Sequence, residues 1–231
     1  HSLYTNREIF IRELVSNAVD TSQKLKTLST LGEFTGEVGE LQVEVLLDKE
    51  AKTITIRDNG IGMTGEEVDK YINQIAFSGA EEFVQKYKDS DAKNSIIGHF
   101  GLGFYSSFMV SDKVEIITKS HKEGSQAVKW SSDGTPEYTL EDADKETRGT
   151  DIVMHVAEDS VEFLEEARLT TILNKYCKFL PVYIKFGTKN ETIDSPTGEK
   201  DDKGEVKKET ITVDNIINNP NPAWNKQPAD L

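Results

Sequence analysis

Within IFIRELVSNAVDTSQKLK, four polar side chains recur at fixed intervals: Glu13, Asn17, Asp20 and Lys24, at offsets of 4, 7 and 11. At about 100° per residue on a helix, they fall within roughly 60° of one another. A carboxylate that orients water, an amide oxygen for a hard cation and an ammonium for an anion are the groups that phosphoryl chemistry needs on one surface. A solvated helix face with an i, i+4 Asp–Lys pair produces the same stripe. The functional reading therefore requires the stripe to face a cavity. Asp58 is the second candidate, closing a strand and opening DNGIGM (58–63). Asp-Asn-Gly is ordinary turn chemistry, but it does not account for the second glycine, Gly62, followed by the apolar Met63. A strand-end carboxylate beside two glycines can accept a hydrogen bond from a flat amino-bearing ring, and the glycines leave room for close approach. The third element, GHFGLGF (98–104), has glycines at 98, 101 and 103, a pattern that presents successive N–H groups to phosphate. It lacks the Lys-Ser/Thr ending of a P-loop, and it does not follow the first strand of a βαβ unit, against a dinucleotide fold. The fourth is RGTDIVMHV, where Thr150 is either turn punctuation or a hydroxyl for a polar ring edge near Asp58.

The elements that must position these groups follow from periodicity. Apolar residues Ile11, Leu14, Val15, Ala18 and Leu25 predict one helix over 7–31, with Gly32 as its stop. LQVEVLLD (41–48) and TITIRDNG (53–60) alternate and predict a hairpin joined by KEAK. A helix is expected over 66–76. After Asp112 come four strand-like stretches, KVEIITKS, QAVKWSS, EYTLEDA and GTDIVMHV; residues 160–180 predict a second amphipathic helix, and PVYIKFG one more strand. Antiparallel hairpins between helices imply an α+β protein, a two-layer sandwich with a mixed, mostly antiparallel sheet covered on one face by helices. From 188 to 210, twelve of 23 residues are charged, the composition of an exposed loop or linker. ETITVDN then predicts a short strand. NNPNPAWNKQPADL reads as an exit segment toward a further domain.

Composition excludes several classes. In the 231 residues, 27 Lys and Arg face 41 Asp and Glu, a net charge of −14. That balance argues against a nucleic-acid backbone binder and against docking on an anionic membrane. No run approaches the ~18 apolar residues of a membrane span, and HSLYTNREIF has no basic start with an apolar core. A single cysteine, Cys177, excludes internal disulfides and multi-cysteine zinc sites and is expected to be a small buried hydrophobe. His99 and His155 carry no metal reading. A soluble protein of a reducing compartment is expected.

Taken in order, E-x-x-x-N-x-x-D, D-x-G-x-G, G-x-x-G-x-G and G-T resemble the four motifs of the GHKL ATPases, which share the Bergerat fold. IFIRELVSNAVD, RDNGIGMT, IAFSGAEEF and IGHFGLGFYSSFMVS are most similar to the N-terminal domain of the ninety-kilodalton heat-shock chaperones, in their bacterial branch. The resemblance covers 6–187. It implies ATP and ADP as ligands with Mg²⁺, and an ATPase domain over 1–187 with a lid at about 77–104. A charged linker at 188–210 and an exit toward a middle domain at 211–231 would follow.

Position by position, the resemblance makes Glu13 the general base and Arg12 its electrostatic partner, with Asn17 the Mg²⁺ ligand. Asp20 and Lys24 would line the ribose and phosphates. Asp58 would accept from the adenine amine, with Gly62 and Thr150 beside it and Met63 and Phe104 as apolar contacts. Gly98, Phe100, Gly101 and Gly103 would carry the loop that closes over the phosphates. Asn73 is the nearest match to an upstream family asparagine, which falls on Tyr71 without gaps. Phe77 stands where much of the family has Lys, which shifts phosphate work toward Lys24. The resemblance further implies protein clients, a homodimer in the longer protein, a monomeric isolated domain, no nucleic acid and no membrane, and a bacterial cytoplasmic setting. It also implies an N-terminal strand that precedes the first helix. Alternatives are a DNA mismatch-repair or topoisomerase ATPase domain of the same fold, against which charge and the second glycine box argue, and a nucleotide sensor without turnover.

Overall fold

The computed structural model describes residues 7–74, 102–197 and 206–220. The first helix, α1 (Ile9–Thr30), buries Phe10, Ile11, Leu14, Val15, Ala18, Val19 and Leu25. Their i, i+3, i+4 recurrence leaves one apolar face, and burying each large side chain contributes about 1.5–3 kcal/mol. No side chain caps its start. Instead Glu8 is clamped by Arg168 (2.7 Å), Lys175 (3.1 Å) and the Tyr176 hydroxyl (3.3 Å). The helix ends at Gly32, whose φ of +75° stops helical propagation.

Strands β1 (Gln42–Asp48) and β2 (Thr53–Asp58) pair antiparallel. Further strands are β3 (Ser111–Lys119), β4 (Val128–Ser132), β5 (Thr139–Asp142), β6 (Gly149–Val156), β7 (Tyr183–Asp194) and β8 (Lys208–Ile216). They form one eight-stranded sheet in the order β5-β4-β3-β6-β2-β1-β7-β8. Among the described residues only the β1–β7 pair is parallel. One face carries Val43, Val45, Ile54, Ile56, Val114, Ile116 and Met154 against the helices, giving the two-layer α+β sandwich. The other face carries cross-strand ion pairs, among them Arg57–Asp151 at 3.1 Å and Lys129–Glu115 at 2.9 Å.

Three stretches depart from expectation, and one further element, a 3-10 helix, joins them. The stretch expected as one helix over 66–76 opens as a four-residue helix, α2 (Gly65–Val68), and continues as a π-helical turn (Asp69–Gln74). Thr64 and Glu67 form a reciprocal capping box at its start. Leu102–Met109 is a 3-10 helix, in which Ser106 and Ser107 hydroxyls donate to carbonyls three residues back. The single helix expected over 160–180 is two pieces, a 3-10 helix (Glu158–Leu164) and α3 (Glu166–Cys177). Glu165 between them is extended, which turns the chain so that both pieces bury an apolar side. Finally, the charged stretch after Thr188 is not loop throughout. β7 runs on to Asp194 and pairs with β8 through Asp194↔Lys208. Both faces of that outer ladder are largely exposed, so its composition is polar, as suits a sheet edge.

Candidate functional site

Alternation decides where Asp58 points. Ile54, Ile56 and Asp58 share one face of β2, so a carboxylate ends a row of buried isoleucines beneath α1. It is 6% exposed. Its Oδ1 accepts from the Gly60 N–H at 2.8 Å. Burial pushes its pKa up to about 7, against the opposing hydrogen bonds from Gly60 and Thr21. The register sets Asp58 opposite Thr150, and Thr150 opposite Thr118. The two threonine hydroxyls are 2.9 Å apart, and Thr118 also accepts from the Met63 N–H at 3.0 Å. One step further along the same strands, Ile56, Ile152 and Ile116 make a parallel row. An apolar row beside a polar row is a surface on which a flat ring can lie with its polar edge against Asp58 and Thr150.

Above these rows is a cavity of about 510 Å³. Asn17, Asp20 and Lys24 from α1 line it together with Asp58, Gly62, Met63, Phe104 and Thr150. The polar stripe of α1 and the strand-end carboxylate therefore share one hollow. Gly62 has φ +59°, and a Cβ there would lie 1.8 Å from the Lys119 carbonyl, so no side chain fits. Phe104 closes the hollow on the side of the 3-10 helix, 5.5 Å centroid to centroid from Trp130.

Glu13 stands apart from that wall. It is 6% exposed, and Arg12 Nε and Nη2 both donate to its Oε1 at 3.0 and 2.9 Å. The Arg12 guanidinium lies 5.9 Å from the Tyr176 ring centroid. Gly103 presses on the other side: a Cβ there would be 3.0 Å from Glu13 Oε2 and 3.3 Å from Asn17 Nδ2. The glycine thus permits backbone approach to both residues. Gly98, Phe100, Gly101 and Phe77 lie outside the described residues, as does the side chain of Asn73.

Several wall residues escaped the sequence reading. Ile56, Ile116 and Ile152 look like ordinary strand core until register aligns them. Thr21 follows Asp20 by one residue and was hidden by the i, i+4 pattern. Glu67, Tyr71 and Ile72 come from the short helix and π-helical turn, whose geometry periodicity does not reveal. His121 lines the hollow and its Nδ1 is 3.1 Å from the Ile61 carbonyl. Among the described residues, no group of three or more His, Cys, Asp or Glu could hold a metal ion. No described helix is long and apolar enough to cross a membrane.

Comparison with known proteins finds relatives over nearly the whole chain. A chaperone protein HtpG of Porphyromonas gingivalis strain W83 is 58% identical over 229 residues, covering 99% of this chain and 32% of that protein. A chaperone protein HtpG of Bacteroides fragilis strain YCH46 is 59% identical over 229 residues, 99% of this chain and 31% of the relative. One from Actinobacillus pleuropneumoniae is 48% identical over 196 residues, 83% of this chain and 31% of the relative. The chain thus spans about a third of the length of the curated relatives it matches. Residues 4–158, which hold the α1 stripe, Asp58 and Thr150, match a family model, and the chain belongs to the histidine kinase-, DNA gyrase B- and HSP90-like ATPases.

Proposed function

We propose that the chain is the ATP-binding and ATP-hydrolysing domain of a chaperone of the heat-shock type, working in the bacterial cytoplasm. The observation that carries this reading is the single hollow shared by Asp58 on its floor and Asn17, Asp20 and Lys24 along its edge. In it the adenine lies along Ile56, Ile152 and Ile116, and its amine donates to the Asp58 carboxylate. Thr150 meets the same polar edge. Met63 and Phe104 cover the ring. Asp20 and Lys24 run along the helix toward the ribose and phosphates, where Lys24 neutralises charge as a mobile point cation.

Asn17 fits a Mg²⁺ role: the described residues lack a carboxylate cage, and Mg²⁺ keeps several waters and takes few protein oxygens beside the substrate phosphates. Bound there, the ion would neutralise phosphate charge. Glu13 holds and polarises the attacking water through Oε2, because Arg12 occupies Oε1. Phosphoryl transfer asks the protein for positioning more than covalent help, and a buried, doubly hydrogen-bonded carboxylate supplies it. The glycine loop over 98–103 and the lid of 77–104, expected to close over the phosphates, lie outside the described residues except for 102–104.

The roles of client binding, homodimerisation and N-domain pairing belong to the longer protein. The similarity to chaperone proteins HtpG over 99% of the chain supports this placement. Two experiments test the proposal. Calorimetry with Mg·ADP and this chain should give saturable heat, and its absence would end the nucleotide reading. In the longer protein, Glu13→Ala should abolish turnover while ADP binding survives; unchanged turnover would remove Glu13 as base and favour a nucleotide sensor.

A further inference from the structure

Glu8, whose backbone is already helical, stands just before α1, and Arg12 follows it by four residues. An acid N-terminal to a base at that spacing favours an ion pair along one helix face. Arg12 instead donates from Nε and Nη2 to Oε1 of the next residue, Glu13, at 3.0 and 2.9 Å. Neighbouring residues point about 100° apart on a helix, so helix geometry alone does not make this contact. The reason lies across the helix seam, in α3. Glu8 is 7% exposed and both its oxygens are taken from there: Oε1 by Arg168 at 2.7 Å, Oε2 by Lys175 at 3.1 Å and by the Tyr176 hydroxyl at 3.3 Å. Burial opposes the charge, but Lys175 and Arg168 hold the carboxyl below the usual carboxylate range. The Tyr176 ring also meets two cations, its centroid 5.9 Å from the Arg12 guanidinium and 4.8 Å from the Lys175 ammonium. Tyr176 therefore joins Glu8 through its hydroxyl and Arg12 through its ring.

We propose that α3 sets the hydrogen bonding of the hydrolytic base: Arg168, Lys175 and Tyr176 saturate Glu8, the helical partner of Arg12, and so direct Arg12 to Glu13 Oε1, leaving Oε2 for water. The three act through Glu8 and Arg12 and are positioning residues. The inference rests on the reading of Glu13 as base given above.

Glu8 is thus a competitor held in check. A buried carboxylate stripped of its donors is costly to leave unpaired. Without Arg168 and Lys175 it draws on the cation within helical reach, and Glu13 loses the two hydrogen bonds that fix Oε1. Removing the Glu8 charge as well ends the competition and returns Arg12 to Glu13. A third substitution at the same seam does not repair general damage to the fold, so reversal separates the two cases.

The test compares wild type, Arg168→Met/Lys175→Met, and the triple variant that adds Glu8→Gln. In this chain without nucleotide, the Arg12 Nε–H resonance in ¹⁵N–¹H spectra should move in the double variant and return in the triple. In the longer protein, the double variant should lower kcat about tenfold while ADP affinity changes less than about twofold, and adding Glu8→Gln should restore most of the loss. Lys175→Met alone, at a half-exposed side chain, should lower kcat about twofold with the same reversal. An Arg12 resonance that stays in place, a loss of kcat that Glu8→Gln does not reverse, or parallel loss of kcat and ADP affinity in Lys175→Met would overturn the proposal. Normal kcat in the double variant, where Glu13→Ala abolishes turnover, would overturn it while leaving Glu13 as base. Unchanged turnover in Glu13→Ala defeats the reading of Glu13 itself, and the resonance then still decides whether α3 directs Arg12.

Discussion

Asp58→Asn should make the unliganded protein more stable and the nucleotide complex weaker, and the first effect should grow with pH. In the folded chain the Asp58 carboxyl, ordinarily at 3.8, is pushed up to about 7 by burial. The sign follows from proton counting. Between those values the folded state binds more protons than the unfolded state, so stability falls as pH rises through the window and levels off above it. Asparagine keeps the oxygen that accepts from Gly60 and has no charge to desolvate. At 1.36 kcal/mol per unit, the advantage of the variant should widen by about 3 kcal/mol between pH 5 and pH 8. For a chain of this size that is a widening of roughly 6–12 °C in Tm. Urea unfolding of both proteins at the two pH values measures the difference directly, and other titrating groups cancel in the comparison. In the same samples ADP affinity should drop by about 10- to 150-fold, the range for losing a charged acceptor. A stability difference that stays flat with pH would refute the argument that a desolvated carboxylate sits on this floor. Undiminished ADP binding would refute its role as acceptor.

Gly62→Ala should cost more than about 3 kcal/mol in urea unfolding, because its left-handed backbone and the Lys119 carbonyl leave no place for a methyl. Gly103→Ala should fold, since the contacts it creates with Glu13 and Asn17 need only a few tenths of an ångström, yet in the longer protein it should lower kcat far more than ADP affinity. Glu115, held down to about 2 by Lys113, Lys129 and His155 against its desolvation, contributes stability that is present above about pH 4.5 and lost as pH falls toward 2; Glu115→Gln should flatten that acid limb in a pH series of thermal melts. Cys177, 1% exposed with its thiol pushed up to about 12 by burial, should react with a disulfide reagent only at the rate of unfolding.

Much of the site was legible because two local periods suffice to read it. Period two in TITIRD puts Asp58 on the face of Ile54 and Ile56, and the 3.6-residue repeat puts Asn17, Asp20 and Lys24 on one stripe. Neither period tells which strands meet. The pairing of β1 with β7 spans about 140 residues of chain, and the row of Ile56, Ile152 and Ile116 exists only through the register of β2, β6 and β3. The strands at the two ends of the charged stretch after Thr188 were hidden for a related reason. Composition reports exposure correctly, but an edge hairpin exposed on both faces has the composition of a loop.

Glu13 marks the other limit. It shares the helical stripe, yet the structure gives its carboxylate to Arg12 and packs it against Gly103, away from the cavity wall. Angular proximity on a helix specifies direction, not depth, and Glu13 lies one turn before Asn17, where the 3-10 helix approaches α1. Gly103 is the residue whose lack of a side chain lets the backbone of the 3-10 helix lie against Glu13 and Asn17. Under the proposed function, substrate recognition and hydrolysis fall on separable parts of one helix: the exposed Asp20–Lys24 end and the buried Arg12–Glu13 end. If the proposed division holds, Gly103→Ala should change turnover in the longer protein without changing ADP affinity, as calorimetry and a turnover assay on the same variant would show.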